Sequence, residues 1–145
     1  MENDDINQEK TSCFYSSIIY LTNSVLALYY NYLLYSILFF ILVVTSLIVH
    51  SNTNFYTIII DKIAIFCIVF YGGYLLFEKC RCVKNITQII LVVIAIMTFL
   101  ATIYLYYYGY LYNKYCYHSD KCIGNLYHSL LHVISSVGHN IIIIL

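Results

Sequence analysis

The chain contains no proline and no tryptophan, and only 10% of its 145 residues are charged. A soluble domain averages nearer ~25% charged residues, and a small soluble fold leaves much of its surface in water. With 62% hydrophobic residues, the shortage of charge excludes an ordinary water-soluble domain and points to lipid as the solvent. Net charge is zero and no basic run exists, which argues against nucleic acid as a partner. The missing Pro and Trp, beside 18 Tyr, read as codon bias and say little about mechanism. The six Cys do not follow a zinc-finger pattern. There is no internal repeat, no linker and no second domain.

The amino terminus also lacks the basic stretch that opens a secretory signal. Residues 1–13 form a short polar tail rich in Asp and Glu. The first apolar segment is therefore expected to persist as a membrane span.

What the chain does have is apolar length. A spanning helix needs about 20 apolar residues, and residues 14–145 read as a single transmembrane domain with spans near 14–30, 32–50, 55–77, 88–112 and 125–145. The expected fold is all-α, a polytopic bundle of about five spans. Asn31 splits the first long run, and Ser51-Asn52-Thr53-Asn54 ends the second span. The loop Glu78 to Lys84 and the loop Asn113 to Gly124 supply the remaining breaks. The Tyr-rich end of the fourth span suits an interfacial aromatic belt. Lys79, Arg81 and Lys84 crowd one loop, against Lys10, Lys114 and Lys121 on the other face. Short basic loops favour the cytoplasm, so the amino terminus is expected outside or in a lumen and the carboxy terminus in the cytoplasm.

An ionisable side chain at the centre of a span costs about 2.5–3.5 kcal/mol. Ser46 and His50 fall in the last turns of the second span, Asp61 about two turns into the third, and His128 and His132 in the first two turns of the fifth. Counting crossings puts all five at similar depth on one side. Residues four apart share a helix face, so Ser46 pairs with His50 and His128 with His132. Taken alone, the His128/His132 pair reads as interhelical hydrogen bonding. With His50 added, the set fits a catalytic zinc site, which uses three protein ligands and leaves one position open. Zinc in such a set brings the pKa of a bound water to about 7. Asp61 could then orient or deprotonate that water. Ser46 could hydrogen-bond a ligand or a developing oxyanion.

The remaining polar residues read otherwise. His139 with Asn140 suits an interhelical hydrogen bond, and His118 a solvated loop. Cys116 and Cys122 could form a disulfide in an oxidising compartment, whereas Cys80 and Cys82 suit reduced or palmitoylated thiols. Asn85-Ile86-Thr87 matches a glycosylation acceptor but lies against the membrane on the inner side. Gly72-Gly73 reads as close helix packing, because nothing basic accompanies it.

The order Ser46-x3-His50, Asp61, His128-Ser129-Leu130-Leu131-His132 resembles the CREST superfamily of seven-helix membrane hydrolases. That group includes the alkaline ceramidases, the progestin and adiponectin receptors and the Per1-like proteins. The resemblance implies zinc held by His50, His128 and His132, Asp61 as acid/base partner, and Ser46 supporting the first ligand and the transition state. It implies hydrolysis of an amide or ester bond in a membrane lipid, with sphingolipid-like substrates among the candidates. The chain departs from the group in having five expected spans, with one helix between Asp61 and His128 where three would stand. A catalytically silent membrane protein of accessory or receptor-like role is the alternative, and a proton or ion conductor using Asp61 and the histidines is a third reading.

Overall fold

The computed structural model describes residues 12–145, so most of the polar tail, including Lys10, lies outside the described residues. All regular structure among those residues is helical. We number the elements α1 (residues 12–17), α2 (Tyr20–Tyr29), α3 (Leu33–Ser51), α4 (Phe55–Cys80), α5 (Ile86–Ile103), α6 (Gly109–Tyr112) and α7 (Lys121–Ile144). Tyr104–Tyr108 forms a π-helical segment that joins α5 to α6, and a 3₁₀ turn spans Tyr115–Tyr117.

The expected first span is broken. Ser16 and Ser17 turn their hydroxyls back to the carbonyls of Cys13 and Phe14 at 3.1 and 2.7 Å. The backbone then tightens, with Ile18 N–H bonding Tyr15 O and Ile19 N–H bonding Ser16 O. Such back-bonding bends helices, and here it separates α1 from α2. Asn31 does end the segment, adopting a left-handed φ of 63° that Asn tolerates better than most residues.

α4 starts at Phe55, as expected, because the Asn54 side chain accepts from Thr57 N–H while Thr57 reaches back to Asn54. The fifth segment begins at Lys121 rather than near 125. Asp120 accepts from the N–H groups of Cys122 and Ile123, and this cap moves the start forward by one turn. His128 and His132 consequently sit in the second and third turns of α7.

The chain forms a layered bundle in which α2 and α3 make a hairpin, α4 returns along α3, and α7 packs against α2, α4 and α5. α5 lies on α7 and scarcely touches α4. Small residues bring helices together: at Gly72 a Cβ would lie 3.0 Å from His139 Cε1, and at Gly138 it would run into Thr98. The apolar core is built around Tyr35, Phe39, Ile68, Ile142 and Ile143.

Polarity is distributed inside out. Leu33, Phe66, Phe70 and Ile86 are exposed, while Asn23, Thr45, Ser46, Asp61, His132, Ser136 and His139 are buried. Among the described residues no buried side-chain N or O lacks a hydrogen-bond partner. Three stretches are long and apolar enough to cross a membrane: Leu33–Ser51, Phe55–Cys80 and Ile86–Tyr117. The α1/α2 segment and α7 are the more polar ones, and their polar groups meet each other. Ser12 bonds Ser129 at 2.9 Å, Tyr20 bonds Ser135 at 2.5 Å, and Asn23 bonds Ser136 and Asn140. Partner numbers rise together along both segments, so the two run parallel. At the far end Lys79 Nζ donates to Ile143 O at 2.8 Å, tying α4 to the last turn of α7.

Candidate metal centre

Three imidazoles converge where the end of α3 meets α7. The metal-ligating nitrogens of His50, His128 and His132 can all lie within 4.8 Å of one another. Ring centres are 5.3 Å apart for His50 and His128, 5.6 Å for His50 and His132, and 4.8 Å for His128 and His132. Tetrahedral zinc with Zn–N of about 2.0–2.1 Å spaces its nitrogens about 3.3 Å apart. The rings would have to draw closer by side-chain rotation to hold such an ion. His132 is buried, and His50 and His128 are half-buried, so a ligand could reach the cluster from one side.

Each ring owes its position to the local sequence. His128 and His132 share a face of α7 at i, i+4, and His50 ends the inward face of α3 that also carries Thr45 and Ser46. His132 Nδ1 lies 2.8 Å from Ser16 Oγ. The same hydroxyl lies 3.1 Å from the carbonyl of Cys13, so it has two acceptors within reach of its one proton. With the Ser16 proton on Cys13 O, Nδ1–H of His132 would donate to Ser16 and Nε2 would be free for a metal, the arrangement that outer partners of metal-binding histidines commonly impose. Tyr20 stands edge-on to the same ring at 5.5 Å and is fixed by its bond to Ser135.

Asp61 is buried on the adjoining turn of α4. Its Oδ1 accepts from Thr45 Oγ1 at 3.1 Å and from Ser46 Oγ at 2.8 Å. Ser46, which holds the carboxylate, lies one helical turn before His50 on α3. The Ser46 hydroxyl is thus engaged with Asp61. Lys62 points the other way and bonds Tyr106, leaving Asp61 to the two hydroxyls.

Three imidazoles from two helices, one of them hydrogen-bonded from outside by Ser16, form a set that could hold a metal ion. Comparison with protein families, with curated proteins and with solved structures finds no match. The geometry alone therefore carries the functional reading.

The other sequence candidates fall elsewhere. His139 bonds Tyr35 and is enclosed by Phe39 and Phe99 at 5.2 and 5.0 Å, an interhelical role as expected. Asn140 accepts from Asn23 at 2.8 Å. His118 Nδ1 accepts from Asp120 N–H in the loop before α7. Cys116 and Cys122 are free thiols, as are Cys80 and Cys82. The Asn85 side chain caps α5 by accepting from Gln88 N–H at 2.9 Å. Ser16 and Thr45 were not visible as site residues, because a single hydroxyl in an apolar run carries no periodic signal.

Proposed function

We propose that the chain is an integral membrane hydrolase of five spans, a shortened relative of the CREST superfamily, acting through zinc on an amide or ester bond of a lipid. The observation that carries this reading is the convergence of His50, His128 and His132 within 4.8 Å. Ionisable groups among apolar helices are costly unless they are paired or bind something, and they commonly mark functional sites. The inverted polarity of the bundle and its three long apolar stretches support a membrane setting.

His50, His128 and His132 would hold the ion. When bound, zinc supplies an acidified water at neutral pH. Asp61, fixed by Thr45 and Ser46, would take the proton of that water and return it to the leaving group as the scissile bond breaks. The amino terminus would lie outside or in a lumen, with the site on that side of the bilayer.

The test uses purified protein with lipid amides and esters that carry a labelled acyl chain. Release of the labelled acid should require zinc, stop after chelation and return on adding zinc back. Asp61→Asn should lower turnover by about 10²–10⁴-fold, the usual weight of a general acid/base, while keeping its metal. Wild-type metal content with no release from any such substrate would favour the silent accessory reading.

A further inference from the structure

Lys62 follows Asp61 on α4 but lies on the exposed face of that helix. Its ammonium donates to Tyr106 Oη and sits 4.2 Å from the centre of that ring. Tyr106 belongs to the π-helical segment, so this contact bridges two elements that are otherwise loosely joined. A phenol leaves the charge uncompensated, and an ammonium has three N–H donors to satisfy. Among the described residues the only ion pair joins Arg81 to Glu78. Lys62 is therefore a cation without a carboxylate partner there.

A shallow, open hollow of about 340 Å³ lies on the outer face of α4 beside this cation, lined by Ile59, Lys62, Ile63, Phe66 and Cys67. Ile59, Ile63 and Phe66 recur at helical spacing and form one apolar strip. The combination is amphiphilic: one positive group at the rim and hydrocarbon along the length. A lysine on a membrane-facing helix is costly unless its charge is paired, and the apolar strip excludes a purely hydrophilic partner.

We propose that the hollow binds a lipid with an anionic headgroup, the head on Lys62 Nζ and an acyl chain along Ile59, Ile63 and Phe66. This rests on the membrane hydrolase reading for its membrane setting alone: Lys62 is exposed and turned away from buried Asp61, so the lipid would sit on the outer face of α4, apart from the metal centre.

The chain lacks Trp, so Phe66→Trp introduces a single fluorescent reporter, with Ile63→Trp as a second in case the first misfolds. Each is reconstituted in phosphatidylcholine vesicles containing a few per cent of brominated phosphatidylglycerol or, in parallel, brominated phosphatidylcholine. The anionic lipid should quench about fivefold more effectively than the zwitterionic one, the preference expected of one basic side chain at a lipid surface. Lys62→Arg should keep that preference and Lys62→Met should abolish it. Soluble glycerol phosphate should not relieve the quenching. Equal quenching by the two lipids, a preference that survives Lys62→Met, or displacement by glycerol phosphate would overturn the proposal. The readout needs neither metal nor turnover, so it can fail while the metal centre stands, and the metal centre can fail while the hollow stands.

Discussion

Ser16 Oγ lies 2.8 Å from Nδ1 of His132, a hydrogen bond that ties α1 to one ring of the His50, His128 and His132 cluster. Removing an outer partner of a metal-bound histidine typically costs 10–100-fold in affinity. Ser16→Ala should therefore weaken zinc binding by about that factor, measured by competition with a chelating dye. Ser16→Thr should restore most of it. Equal affinity in wild type and Ser16→Ala would remove Ser16 from the centre.

Asp61 depends on two hydroxyls from α3. Hydrogen bonds to charged groups are worth about 1.5–3 kcal/mol each, so Ser46→Ala should lower kcat by roughly 10–100-fold if Asp61 works as the acid/base group. Thr45→Val should act in the same direction, and less strongly because its bond is longer. Metal content should not change in either variant. A metal loss in Ser46→Ala would instead return Ser46 to the support of His50.

The neighbouring glycines of α4 should behave in opposite ways. A Cβ at Gly72 would stand 2.5 Å from Tyr35 Oη and 3.0 Å from His139 Cε1, whereas at Gly73 nothing lies within 4 Å. Gly72→Ala should destabilise the bundle by about 1–3 kcal/mol through overpacking. Gly73→Ala should gain roughly 0.5–1 kcal/mol from the stiffer unfolded chain. Unfolding in mixed detergent micelles, followed by circular dichroism, separates the two.

The elements that hydropathy governs were legible in the sequence. The second and third segments begin and end close to where their apolar runs do, because Asn31, Asn54 and the charged loop after Phe77 are strong breaks. The three histidines were legible as a group from i, i+4 spacing together with the count of crossings. The polar seam between α1/α2 and α7 was not, since Ser12, Ser16, Tyr20 and Asn23 find their partners more than a hundred residues away. The break after Ser17 was hidden for a related reason. Hydroxyls that bond back to the chain leave hydropathy almost unchanged while altering the path of the backbone. The π-helical segment at Tyr104–Tyr108 lies inside a continuous apolar run and gives no local sign of itself.

The orientation expected from the Lys and Arg of the short loops is open to direct test. A membrane-impermeant maleimide applied from outside should modify Cys122 and Cys116, in the loop beside the metal centre. It should spare Cys80 and Cys82 until the membrane is permeabilised. All four are free thiols, and only Cys116 among them is half-buried. Labelling of Cys80 and Cys82 alone would invert the orientation while leaving the site intact.

Metal content is the most direct measurement of the central claim. Protein purified without chelators should carry about one zinc per chain by elemental analysis, and cobalt exchanged into the site should give the absorption of a tetrahedral nitrogen-rich centre. His50→Ala, His128→Ala and His132→Ala should each lose the ion, and His139→Ala should retain it. A metal-free wild-type protein that takes up neither zinc nor cobalt, or one that keeps its metal when His50 and His132 are both replaced, would contradict the account.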